Sequence, residues 1–581
     1  MSRRSHARWI ALVGAAQLVG LVSIPVLTQE RAQYEIVIKN GMILDGTGNP
    51  FFVGDVAIAN EKIAEIGVID AARGRRVIDA TGFYVTPGFF DMHSHSAGGD
   101  GSIADPVGRK GYNSVSQGIA TETTNPPWPL SAQLEKYRTN KHALNEIVSV
   151  NFANVRNSVM GYENRPPTPA ELEKMREMIR EGFRQGARYL FVNLENGMPD
   201  RFASTEELIE LAKVVKENRG YYDTHQRSEG ISPIWYNASG HDYNPASHSP
   251  VVDGVQAVQE TVRIAEESGA KVVGHHVKVK GKNFWGASKS YIELMDRARS
   301  RGVQVYFSIY GYTSYGNWPN VTVIPIWART DPGVDSRMLR NVKDPYKNAK
   351  ANFERVLADP KAKADLVKDI QYQFTKAGGP EHLLLVEYSD KQYAGKTLQD
   401  IADMRNTNAV DMLIWLQQNG DPLMPGGGGW RALDTDDQDV ENFIKTNYTA
   451  YVTDGGNILP NVGFPHPRYY GIYPRFIRRY VLDKNVVTLP HMIRGMTSLA
   501  AQITGVTDRG LLKPGYWADV NVFDPVSIRD NATYMNPHQY ATGFRWVLIN
   551  GVPVVDDGKF TDALPGKELV GAMTVNKAGS Q

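Results

Sequence analysis

The sequence predicts an α/β protein: a TIM-like (β/α)8 barrel with a small β domain assembled from both chain ends. Three observations carry this. Helical stretches such as TPAELEKMREMIREGFRQG, STEELIELAKVVKENRG and VQAVQETVRIAEESG each precede a short β-prone run: ARYLFVNLENG, YYDTHQRSEG and KVVGHHVKVKG. Helix and strand in alternation imply parallel strands, and repeated units of this kind close a barrel. The two chain ends read differently. YEIVIKNGMILDGTGNPFFVGDVAIANEKIAEIGVI near the start, and GLLKPGYWADVNVFDP and WVLINGVPVVDDGKF near the finish, alternate apolar and polar residues between turn residues, the period of antiparallel strands. Finally, several candidate barrel strands end in His or Asp, as expected where a barrel carries its chemistry at the C-terminal strand ends.

Taken in order, residues 1–32 place basic residues ahead of an apolar run from Trp9 to Leu27. This predicts an export signal, with Arg3-Arg4 pointing to the twin-arginine route and a periplasmic location. The run is long for a signal and lacks an A-x-A site, so a retained membrane anchor is the alternative. Residues 33–84 supply the first part of the β domain, 85–500 the barrel, and 501–581 the second β part and a tail. Eight candidate barrel strands end near His95, Asn125, Asn157, Glu195, His225, His276, Tyr310 and Asp454. STEE, at Ser204 to Glu207, reads as a capping box opening a helix.

Composition narrows the chemistry. The 581 residues hold 64 Lys+Arg against 63 Asp+Glu, which gives no electrostatic case for nucleic acid or an anionic membrane as partner. There are 54 Gly and 32 Pro, hence many turns, and no Cys. Disulfides and thiolate ligands are excluded, so any metal is held by His, Asp, Glu or a modified Lys.

In VTPGFFDMHSHSAGGD, an apolar run ends in His93 and His95. Side chains at i and i+2 share a face of a strand, so the two imidazoles point to one place and suit a metal ion. His225, His276 and Asp454 end other strands and add donors around the same mouth. Glu195 ends the fourth. Arg227 and Glu229, two and four residues beyond His225, either orient that ligand or form a loop ion pair. His275 alternates with His276 and is expected to face the other way, as a structural residue. His241, His248 and His466 lie in loops and receive no role.

PGFFDMHSH, GYYDTHQRSEG, VVGHHVKVKGKNFWG, VTDGG, PHPRYYGIYPRFIRRYV, MTSLAAQITGVTDRGLLKPGYWADVNVFDP and ATGFRWVLINGVPVVDDGK run in one order across nearly the whole chain after residue 32. In these pieces the sequence resembles the amidohydrolase superfamily, and within it the N-acyl-D-amino-acid deacylase (D-aminoacylase) family. The resemblance implies a metal-dependent hydrolase barrel with a small β-sandwich, acting on a small N-acyl amino acid with one or two divalent ions, zinc foremost. It implies His93, His95, His225 and His276 as ligands, and Asp454 as both ligand and proton shuttle. Lys278 and Tyr310 are implied to contact substrate, and Arg468 to hold its α-carboxylate. The family has a cysteine ligand in GNCG at the end of its second strand. Here GIATETTNPPWP places Pro127 there, and a proline side chain cannot bind metal. Glu195, on the fourth strand, is the substitute expected to bridge, with a solvated loop carboxylate as the alternative. Glu122 alternates with Thr123 and points away from the mouth. NLENGMPD replaces a family segment that lines the pocket, leaving the side-chain preference open.

Two other functions remain at this stage: an amidohydrolase of the same fold acting on a cyclic amide, dipeptide or other N-acyl compound, and a non-catalytic binding protein with a degenerate metal centre. MPGGGGW, Met424 to Trp430, reads as a flexible turn or lid hinge and lacks the strand-to-helix setting of a phosphate loop. DTDDQD, Asp434 to Asp439, reads as an acidic helix start and lacks the Gly and Glu of a calcium loop.

Overall fold

Eight short strands build the barrel wall in chain order: β1 (Phe89–Asp91), β2 (Ile119–Thr124), β3 (Asn145–Asn151), β4 (Tyr189–Asn193), β5 (Tyr221–His225), β6 (Lys271–Gly274), β7 (Val305–Ile309) and β8 (Thr449–Tyr451). Each pairs in parallel with the next. The computed structural model describes residues 33–571 apart from 97–102, 127, 197, 242–250, 317–320, 322 and 335–342. The N-terminal 32 residues, read as an export signal or anchor, lie outside the described residues, as do Pro127 and His248. Among the described residues no helix is long and apolar enough to cross a membrane.

The seam between β8 and β1 closes just beyond the strand ends. His95 N–H donates to Gly455 O at 2.6 Å and Asp454 N–H to His93 O at 3.1 Å. Below them the buried Asp91 carboxylate accepts from Thr453 N–H at 3.0 Å and from the Thr453 hydroxyl. Closure therefore fixes the backbones of His93, His95 and Asp454 against one another. Gly456 permits this approach, since a Cβ there would lie 2.8 Å from the His95 carbonyl carbon.

The connecting helices follow their caps. Thr168 and Glu171 make a reciprocal capping box on Pro169–Gln185. Ser204 caps Thr205–Glu217, but its expected partner Glu207 instead pairs with the buried Arg156 at 3.0 Å, so only half of that box forms. The third strand also departs from expectation. It ends at Asn151, whose side chain accepts from Asn154 N–H and starts the helix Phe152–Met160, so Asn157 is helical.

The two chain ends join in one nine-stranded sheet. Tyr84–Pro87 runs antiparallel to Val520–Phe523, tying the first half to the second. The sheet curls around a core that includes Ile38, Val56, Ile63, Val85, Val520 and Leu548. Between β7 and β8 the chain builds a third unit. Strands Leu383–Glu387, Lys396–Thr397 and Gly429–Ala432 pack with the helices Ala349–Ala358, Pro360–Ala377 and Ala409–Asn419 over their own core, including Phe353, Ile370, Leu413 and Trp430. The MPGGGGW stretch belongs to this unit and corrects the hinge expectation. Its glycines are buried, and a Cβ on Gly427 or Gly428 would meet backbone oxygens of Leu416 or Glu387 at 2.1 or 2.4 Å. They are glycine because backbones pass there at contact distance. The DTDDQD stretch is the expected helix start, with Asp436 capping Asp437–Ile444.

Candidate metal centre at the barrel mouth

A cavity of about 1210 Å³ opens at the C-terminal strand ends and is lined by His93, His95, His225, His276, Asp454 and Arg468, among others. The unit inserted before β8 supplies part of its wall, through Glu387, Tyr388, Met424 and Gly428. Five of the predicted donors thus meet in one place, although they come from β1, β5, β6 and β8.

Asp454 is the meeting point on one side. Its Oδ1 lies 3.0 Å from His95 Nε2 and 3.5 Å from His93 Nε2, and its Oδ2 accepts from Arg468 at 2.8 Å. Burial opposes its charge, but the Arg468 guanidinium and nearby histidines outweigh that and hold the carboxyl well below its usual range. Asp454 and His276 both have positive φ, 48° and 37°. Such backbone costs about 1–3 kcal/mol per residue and is a common feature of functional sites.

His276 is the meeting point on the other side. Its ring centroid lies 4.6 Å from that of His225 and 4.9 Å from that of His93. Burial, then the neighbouring Lys278, hold its imidazole neutral. Glu229 stands against both histidines, Oε1 at 3.0 Å from His276 Nδ1 and Oε2 at 3.7 Å from His225 Nε2. Lys278 contacts Glu229 Oε1 at 3.0 Å, and Lys280 bridges Glu229 Oε2 at 2.7 Å and Glu195 Oε2 at 2.8 Å. Burial works against every charge in this set; the opposite charges outweigh it for both carboxyls, which lie below their ordinary values, and for Lys280, which lies above, whereas burial wins at Lys278 and lowers it.

The remaining expectations divide. Glu195 is buried beside His225 at 2.9 Å, while Ile234 N–H and Lys280 occupy its oxygens. Arg227 forms the ion-pair alternative: it grips Glu260 at 2.9 Å and donates to the carbonyls of Arg201 and Ala203. Tyr310 is not part of the cavity wall. Its hydroxyl donates to Ser314 O at 3.2 Å, and its ring lies 4.9 Å from both Lys278 Nζ and the Arg468 guanidinium, so it supports the two cations expected to meet substrate. Glu122 is buried and outside the cavity wall, bonded to Asn457 at 2.9 Å. His466 accepts from Arg468 N–H at 3.1 Å and positions that residue, whereas His241 pairs with Asp365 at 3.0 Å away from the mouth.

His275 contradicts the expectation that it faces away. Strand β6 ends at Gly274, so alternation no longer governs the next residues. His275 stacks on His93 with centroids 3.8 Å apart and shares the buried Asp223 carboxylate with it, at 2.9 Å against 3.3 Å for His93. Asp223 and Lys280 received no role in the sequence reading. Asp223 lies two residues before His225 on the same strand, so the i, i+2 rule applied to His93 and His95 would have placed it on the same face as His225.

Do these residues suit a divalent ion? Three overlapping sets, His93/His275/His276, His93/His95/Asp454 and His225/Glu229/His276, each bring donor atoms within 4.8 Å of one another. His93 Nε2 is buried without a hydrogen-bond partner among the described residues. Burial disfavours the charged imidazole, but the nearby Asp223 and Asp454 carboxylates push His93 up to about 9, so a cation bound there competes with a proton. Imidazole and carboxylate donors without thiolate fit zinc and its borderline neighbours.

Residues 76–246 and 449–555 match the amidohydrolase family. The chain is 27% identical to the D-aminoacylase of Alcaligenes xylosoxydans xylosoxydans over 92% of its own length and 97% of that protein. It is also 27% identical to the N-acyl-D-glutamate deacylase of the same organism over 90% of its length and 93% of that one. Among solved structures, the N-acyl-D-glutamate deacylase of Bordetella bronchiseptica, complexed with zinc and a phosphonate mimic of the tetrahedral intermediate, superposes with a TM-score of 0.70 at 25% identity, covering 93% of this chain and 100% of that one. A D-aminoacylase structure gives 0.68 at 27% identity, covering 92% and 99%. A further study of D-aminoacylase concerns a binuclear metal centre.

Proposed function

We propose that this chain, whose residues 76–246 and 449–555 match the amidohydrolase family and whose relatives include deacylases, is a hydrolase of linear amides that converts N-acyl-D-amino acids to a carboxylate and a free amino acid. His93, His95, His225, His276 and Asp454 would hold a divalent ion of the zinc type, which would supply an acidified water and a polarised amide carbonyl. Asp454 takes the proton from the attacking water and delivers it to the departing nitrogen. Its low proton affinity keeps it ionised as a base at neutral pH. Arg468 and Lys278 hold the substrate carboxylate. The Arg468 Nε–H lacks a partner among the described residues, and a guanidinium can donate two parallel bonds to a carboxylate. The single observation that supports the reading most is the Asp454 carboxylate, reached at once by His93, His95 and Arg468. The basic-then-apolar residues 3–27 support export of this hydrolase.

The test is a substrate panel: N-acetyl-D- and N-acetyl-L-amino acids, a dipeptide and a cyclic imide, with metal content measured on protein purified without chelator. The D-series is expected to turn over fastest, with divalent metal present. Asp454→Asn is expected to lower turnover by about 10²–10⁴-fold with the far-UV spectrum unchanged. Faster turnover of the imide or the L-series assigns a different substrate. No bound metal and no activity after zinc or manganese addition points to a binding role.

A further inference from the structure

His225 and His276 stand side by side at the mouth, ring centroids 4.6 Å apart, but two imidazoles alone hold a divalent ion weakly and leave its charge unbalanced. An anionic third donor is needed, and this chain has no cysteine to give a thiolate. Two buried carboxylates are near. Glu195 reaches His225 alone, and its oxygens are taken by Ile234 N–H and Lys280. Glu229 spans both histidines, at 3.0 and 3.7 Å. Resting on the hydrolase reading above, we infer that Glu229 is the third protein ligand of a divalent-cation site completed by His225 and His276.

The position of Lys278 supports this independently. Its ammonium lies 2.7 Å from His276 Nδ1 and 3.0 Å from Glu229 Oε1, so a cation already sits where those two lone pairs converge. A divalent ion satisfies the same lone pairs and adds His225. Lys278 is then free to turn toward a substrate carboxylate. Lys280 is a positioning residue: held between Glu195 and Glu229, it balances their charge and keeps the Glu229 carboxylate against the histidines.

The experiment titrates metal-stripped full-length protein with zinc against a chromophoric chelator and records the cobalt absorption spectrum, for the native chain, Glu229→Gln and Glu195→Gln. Glu229→Gln is expected to lose one equivalent of ion per chain, or to bind it more than about a hundredfold more weakly, with an altered cobalt spectrum. Outer-shell partners account for about 10–100-fold in affinity and leave stoichiometry intact, so the two roles separate. Glu195→Gln is expected to keep both equivalence and spectrum. Native stoichiometry and affinity in Glu229→Gln, or loss in Glu195→Gln instead, overturns the assignment while leaving the hydrolase reading standing. A native chain that takes up no ion overturns both. If Glu229→Gln does not fold, Glu229→Asp decides: a shorter carboxylate is expected to restore full loading only at higher zinc, and unchanged affinity counts against the proposal.

Discussion

Arg468 has two neighbours that compete for its charge, Asp454 at 2.8 Å and, in the proposed reaction, a substrate carboxylate. Its backbone is set by His466, and its guanidinium lies over the Tyr310 ring. Hydrogen bonds to charged groups contribute about 1.5–3 kcal/mol. Arg468→Ala is therefore expected to raise KM for N-acyl amino acids by about 10–100-fold, with a much smaller rise for the matching carboxamide. Arg468→Lys is expected to recover little, since a point charge cannot replace the fork. Equal losses for acid and carboxamide remove Arg468 from that role. The residues legible in the sequence were those at strand ends, His93 and His95 by their i, i+2 spacing and His225, His276 and Asp454 as the last residues of their β runs. His275 was misread because the strand stops before it and because His276 bends the backbone into a left-handed conformation. Lys280 could not be assigned because its role exists only between two carboxylates from different loops.

At the scale of elements, β2 and β3 place Glu122 directly opposite Glu146 in the ladder. Both are buried, and burial pushes Glu122 up to about 7 and Glu146 well above its ordinary value. A carboxyl that holds its proton more tightly folded than unfolded stabilises the fold below its unfolded value near 4.5, and that contribution is lost as pH rises through the folded value near 7. The protein is therefore expected to lose stability between pH 4.5 and 7 at Glu122. Glu122→Gln keeps an oxygen for Asn457 and removes the titration. It is expected to raise stability at pH 8 by on the order of 2 kcal/mol and to change little at pH 4.5, as read from urea unfolding midpoints at the two pH values. A gain of equal size at both pH values assigns the effect to packing instead. The same scale shows why boundaries were less legible than elements. Asn151 ends β3 by capping a helix through Asn154 N–H, a local signal, whereas Glu207 leaves its cap for Arg156, a partner that local sequence does not reveal.

For the whole molecule, the barrel pattern was legible because alternation of helix and strand is a local signal. The unit between β7 and β8 was not separated from it, since its helices and strands have the same periods and only its separate core sets it apart. What joins the molecule at the mouth is also non-local. β1 and β8 meet through Asp91, Thr453, His93 and Asp454, and the inserted unit walls the cavity above them. An ion held by donors from β1, β5, β6 and β8 binds only when those strands are assembled, so its affinity adds to the stability of the folded barrel. At a thousandfold excess over Kd that addition is about 4 kcal/mol. Chelator-stripped protein is thus expected to unfold at a lower temperature than native protein, zinc is expected to restore the difference, and His276→Ala is expected to shrink it. Identical melting curves with chelator and with saturating zinc mean that no ion links these strands.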